Sequence, residues 1–185
     1  HYDRAREALD RGLELARETG DRHVEMEFEI DHGLLAHRTG DAATAGERLE
    51  RAVDLARVVE DRRGESDALR ASGVVALESG DLDSAAERLS EARSLAAETG
   101  YRDGEANCWL ELARLARRRD DGDVARRRLD EVFDITEAAD NRLVRARAEA
   151  VQGAVTGDPD TSADAADRLR DAGAAASAMV SGSPV

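Results

Sequence analysis

Apolar residues recur along the chain at the three- and four-residue spacing of an amphipathic helix, and the whole pattern returns after forty residues. An Ala followed four places later by Leu appears at Ala5/Leu9, Ala45/Leu49, Ala85/Leu89, Ala125/Leu129 and Ala165/Leu169. A small residue in the other half of each unit recurs at Gly33, Gly73, Ala113 and Gly153. Self-similarity at a period of a few tens of residues marks a repeat array, in which each unit is one supersecondary element stacked on its neighbours. The pattern predicts helices at 2–18, 22–39, 42–57, 61–79, 82–98, 102–118, 122–137, 141–156 and 161–178. Gly and Asp punctuate the hairpins at Gly40-Asp41, Gly80-Asp81, Asp121-Gly122-Asp123 and Gly157-Asp158. There Gly takes the left-handed conformation that ends one helix and Asp accepts backbone N–H bonds at the start of the next; Pro159 suits the edge of the last helix.

This register makes 1–178 a single array. Residues 2–18 are the second helix of a unit whose first helix is absent, followed by full units at 18–57, 58–97, 98–137 and 138–178. The helix at 161–178, rich in Ala, reads as a cap, and 179–185 as a frayed tail. A lone helix with a half-used apolar stripe at the start suggests a segment of a longer protein.

Composition narrows the class. Two prolines, 3% aromatic residues and many Ala, Leu, Glu and Arg favour helix throughout, with no strands. A net charge of −14 repels phosphate, so neither nucleic acid nor an anionic membrane is expected as partner. The single cysteine, Cys108, forms no intrachain disulfide, which makes the cytoplasm the default location. No apolar run approaches the roughly 18 residues that span a bilayer.

With these residues in place the chain resembles the tetratricopeptide repeat, whose unit carries W-x2-L-G-x2-Y in its first helix and A-x3-F in its second. The best copies are Trp109-x2-Leu112-Ala113 with Ala125-x3-Leu129, and Leu69-x2-Ser72-Gly73 with Ala85-x3-Leu89. The forty-residue unit, against about 34 in the common form, and the phrase DRRGESDAL with its echo YRDGEANCW are similar to the longer variety found in G-protein-signalling modulators and in regulatory arms of bacterial multidomain activators. The resemblance implies an all-α, right-handed α-solenoid of helix–turn–helix repeats. The tyrosine expected three residues after the Gly is replaced by Ala36, Ala76, Ala116 or Thr156, and the Asn that often lines the longer family's groove is replaced by Asp31, Ala71, Glu111 or Val151. That family's binding mode therefore does not carry over. The Gly33, Gly73 and Ala113 series and the facing Ala series are packing positions, where a Leu would force paired helices apart.

Candidate chemistry is sparse. His32 and His37 lie five apart, on different faces of a helix, and no Cys/His/carboxylate spacing matches a zinc site. Cys108 reads as a small buried hydrophobe beside Trp109. The Asp-rich turns fail the calcium-loop pattern, and no phosphate-cradling or nucleophile-elbow motif is present. No catalytic, cofactor-binding or metal-binding residue is assigned.

The resemblance implies that first helices line a concave surface. On that register the lining includes Glu27, Ile30, Leu34, His37 and Arg38, then Asp67, Arg70, Val74 and Leu77, then Asn107, Leu110, Arg114, Arg117 and Arg118, then Arg147 and Ala150. A candidate peptide groove follows, made of Arg38, Arg70, Leu77, Asn107, Leu110, Arg114, Arg117, Arg118 and Arg147. Its guanidinium groups and leucines suit an acidic peptide with hydrophobic anchors. The competing account has Asp67, Glu78 and Glu111 neutralising these arginines. The resulting expectation is a non-enzymatic scaffold that binds a protein or peptide as the regulatory or interaction arm of a larger prokaryotic protein. The alternative is an internal spacer or oligomerisation module that docks on other domains of its own chain.

Overall fold

The computed structural model describes residues 2–139 and 141–157, and side chains at all of these except Ala138 and Ala139. Among the described residues there are eight α-helices and no strands. They are α1 (Tyr2–Thr19), α2 (Arg22–Arg38), α3 (Ala42–Val58), α4 (Arg62–Ser79), α5 (Leu82–Glu98), α6 (Arg102–Arg118), α7 (Gly122–Ala139) and α8 (Arg142–Thr156). Each lies within two residues of its expected bounds. The expected helix at 161–178, its Ala165/Leu169 pair, Pro159 and the tail fall outside the described residues. No described helix is long and apolar enough to cross a membrane.

One turn design joins the helices. After α2, Gly40 adopts φ +83° while Gly40 N–H and Asp41 N–H donate to the carbonyls of His37 and Ala36. Asp41 then caps α3 by accepting from Thr44 N–H at 3.1 Å. The same sequence of events recurs at Gly80 and Asp81, with Ser84 as the capped residue. In the turn before α7 the helix begins at Gly122 as expected, but the left-handed residue is Asp120, at φ 57°, and not the glycine. Asp121, the next residue, fills the capping role by accepting from Val124 N–H at 3.0 Å. Asp tolerates this region because its short polar side chain bonds locally.

The chain divides at Gly104/Glu105 into two compact units. In the first, α2 pairs with α3 and α4 with α5, α1 packs on α2, α3 on α4, and α2 also meets α4. The pairs close on glycine. A methyl group placed on Gly33 would stand 2.6 Å from Leu49 Cγ and 3.3 Å from the Ala45 carbonyl oxygen, and one on Gly73 would stand 2.7 Å from Leu89 Cγ. The paired helix thus presents Leu49 and Leu89, with Ala45 and Ala85 fully buried beside them. Gly12 does the same for α1, where the Phe28 ring fills the space a side chain would take. In the second unit the core is formed by Ala106, Leu110 and Ala113 of α6, Leu129, Val132 and Ile135 of α7, and Val144 and Ala148 of α8.

Carboxylates also enter the core, each held by arginine. Glu29, 0% exposed, accepts from Arg17 at 2.7 Å and Arg48 at 2.9 Å and lies 3.0 Å from Arg51. Its neighbour Glu25 accepts from Arg17 and Arg51, each at 3.0 Å. Burial opposes the charge of Glu25, but the bonds from Arg17 and Arg51 outweigh it and hold the carboxyl below its ordinary range. Glu65 bonds Arg57 at 2.7 Å in the same way.

Opposite effects are expected for one substitution at two glycines. In mid-helix, Ala is better than Gly by about 0.8–1.0 kcal/mol. At Gly46 nothing lies within 4 Å of the added methyl, so Gly46→Ala should raise stability by nearly that amount. At Gly73 the clash with Leu89 should outweigh the gain and leave a net loss on the order of 1 kcal/mol. Denaturant midpoints of the two variants should shift in opposite directions; a rise for both would mean that the Gly73–Leu89 contact does not limit the approach of α4 and α5.

Candidate functional site

The sequence-predicted groove residues separate by environment. Leu77 and Leu110 are 2% and 1% exposed, and Leu110 belongs to the core of the second unit. Both leucines are thus packed inside the protein and not on its surface. In the second unit, Glu111 is buried to 1% exposure, accepts from Arg114 at 2.7 Å and from Arg147 at 2.9 Å, and Arg147 also donates to Asn107 Oδ1 at 3.1 Å. Asn107, Glu111, Arg114 and Arg147 are therefore one internal network, while Arg117 and Arg118 stay exposed at the end of α6. In the first unit, Arg70 pairs with Asp67 at 3.4 Å and Arg38 is exposed.

The first unit holds a concave site of another kind. A cavity of about 500 Å³ opens on the face shared by α2, α4 and the start of α6. Met26 and Ile30 of α2 supply its apolar floor, and Gly64 of α4 lets Met26 lie flat, since a methyl there would stand 2.6 Å from Met26 Cε. Tyr101 makes a wall. Its ring rests against Gly104, where a methyl would be 2.3 Å away, and the Arg63 guanidinium lies 5.8 Å from the ring centre. The Tyr101 hydroxyl donates to Asp67 Oδ2 at 3.2 Å.

Four carboxylates ring the opening. Asp61 caps α4 through the N–H groups of Arg63 and Gly64 and faces His23 Nδ1 at 3.1 Å. Asp67 is taken by Tyr101 and Arg70. Glu27 and Asp31 have no hydrogen-bond or ion-pair partner among the described residues. Desolvation by the surrounding protein pushes the Asp31 carboxyl above its ordinary value, with His32 offsetting part of the effect. Glu27, Ile30 and Asp67 were on the sequence register. Met26 and Tyr101 were not; the repeated Gly of DRRGESDAL and YRDGEANCW, Gly64 and Gly104, was their available signal. The remaining titratable candidates are internal: Cys108 is fully buried, and His32 is buried with Nε2 3.4 Å from Asp10.

The tyrosine wall has a pH signature. Burial, then the charge of Asp67 and the bond to it, push the Tyr101 phenol up to about 12. A phenol that holds its proton more tightly in the folded state contributes stability below its unfolded pKa near 10, and that contribution is lost as pH rises towards 12. Ultraviolet titration should show a late phenolate component that Tyr101→Phe removes and Asp67→Asn moves towards 10. A late component that survives Tyr101→Phe would disprove the assignment.

Residues 26–98 match the family model of the tetratricopeptide repeat. No curated protein matches the sequence. Among solved structures, BtubC (BKLC) from P. vanneervenii superposes with a TM-score of 0.74 at 18% identity, covering 91% of this chain and 72% of that one. A kinesin light chain-like protein of Podosopora anserina, with nearly identical TPR-like repeats, gives 0.61 at 15% identity, covering 95% and 88%. At these identities the likeness is one of fold. Repeats of this family generally mediate protein–protein interaction and scaffolding, not catalysis. The fold of the described residues is that of the tetratricopeptide-like helical repeat solenoids, and the family match at residues 26–98 lies within it.

Proposed function

We propose that the chain is a non-catalytic scaffold that holds an extended protein or peptide segment on the face of α2 and α4. The observation that carries this reading is the cavity of about 500 Å³ in which a half-buried Ile30 lies beneath a polar rim. An apolar floor gives a bound side chain surface to bury, and a rim of groups that can hydrogen-bond fixes the direction of the chain that carries it. The arginines of α6 and α8 support a binding role less, because Glu111 already occupies Arg114 and Arg147; Arg38, Arg117 and Arg118 remain within a partner's reach. The role of interaction arm in a longer prokaryotic regulator belongs to the same proposal and rests on the resemblance of the DRRGESDAL and YRDGEANCW phrases to the longer repeat variety.

A random-peptide display library panned against the purified chain tests this reading. Selected peptides should lose at least tenfold in affinity, about 1.4 kcal/mol, when Ile30 is replaced by Asn, with helix content unchanged by circular dichroism. Peptides indifferent to Ile30→Asn would overturn the proposal. So would a library that yields no binder while the chain self-associates in sedimentation, which is the behaviour of an oligomerisation module.

A further inference from the structure

From the charge around this cavity we infer that its partner is a basic segment, one that sets an apolar side chain on Ile30 and brings arginine or lysine to Glu27 and Asp31. The inference rests on the reading above and adds the chemistry of the occupant. Three observations converge on it. The first is local. Of the four carboxylates on the rim, Asp61 and Asp67 are engaged inside the protein, whereas Glu27 and Asp31 have no hydrogen-bond or ion-pair partner among the described residues. Both are exposed at the rim of the cavity, within reach of a partner's cation.

The second is long-range. Residues 1–104, the unit that contains the cavity, hold 25 acidic residues against 15 arginines, a net of −10 out of the −14 of the whole chain. A field of that sign speeds the approach of a basic segment and repels an acidic one. The cations near the cavity do not reverse it: Arg63 is the one arginine in the lining, Arg70 is engaged with Asp67, and His23 faces Asp61.

The third is the fate of a partner of the opposite charge. An acidic peptide, the partner suggested by the arginine register, would instead bring its carboxylates to the two free carboxylates of the rim. Like charges at that distance penalise binding.

The display library provides the test through the composition of what it selects. Panning should enrich peptides that combine Arg or Lys with a large apolar residue. Their affinity should fall at least tenfold for Glu27→Gln/Asp31→Asn, and should fall as sodium chloride is raised. The control is Glu18→Gln/Glu47→Gln, which removes the same two charges at exposed positions outside the cavity and should change affinity less than threefold. Enrichment of acidic or uncharged peptides would overturn the inference, as would equal losses for the two double variants, which would mean attraction to net charge alone. In either case continued sensitivity of the selected peptides to Ile30→Asn would leave the groove itself standing, so failure of the charge inference is separable from failure of the binding reading.

Discussion

Each helical pair in the first unit is held by a leucine seated where the partner helix has no side chain. Leu49 lies on Gly33 and Leu89 on Gly73 so closely that even a methyl group on either glycine would overlap them. The close approach fixes the pair as a unit, and the stacking of one pair on the next follows from which faces remain apolar. Because the contact divides its volume unequally, large on one helix and absent on the other, it also sets register: a slip by one position would bring Leu against a side chain. The junction of α1 and α2 uses the same device with Phe28 on Gly12. At the equivalent register positions of α3 and α4 stand Ala52 and Ala68, both fully buried, so the large-and-absent arrangement gives way to two small side chains.

The charged core is the counterpart of this tight apolar seam. A buried carboxylate without a partner would cost several kcal/mol, and the chain has no lysine to offer. Arginine suits the task because its planar fork serves more than one acceptor. Arg17 reaches both Glu25 and Glu29, Arg51 does likewise, and Arg147 spans Asn107 and Glu111. These pairs consume arginines that the sequence alone would place at a surface.

The period of forty made the helices, their order and the glycine seam legible, since each follows from spacing and from the size of one residue. Two kinds of information were not legible. One was which residue of a short turn takes the left-handed conformation: Gly122 was the default, yet the geometry of capping needed Asp121 before the helix and left Asp120 to adopt φ 57°. The other was the depth of a helix face. Leu77 and Leu110 share their helix with polar groove residues, but the stripe buried against the neighbours is wide enough to include both. Arg114 could not be told from a ligand-binding arginine without knowing that Glu111, three residues away, points inward and needs it.

Tyr101 shows how a departure from the repeat shapes the cavity. Asp21 and Asp61 stand at its register position, as does Asn141, and each accepts a backbone N–H bond from the first turn of its helix. Losing such a cap typically costs about 1 kcal/mol. A tyrosine cannot replace it in kind; its backbone N–H still closes the turn on the Ala96 carbonyl, while its side chain turns away to donate to Asp67. The ring lies flat only because Gly104, at the register position of Gly64, carries no side chain. Two positions thus depart from what helix stability alone would favour, a lost cap at 101 and a first-turn glycine at 104, and together they build the wall of the cavity.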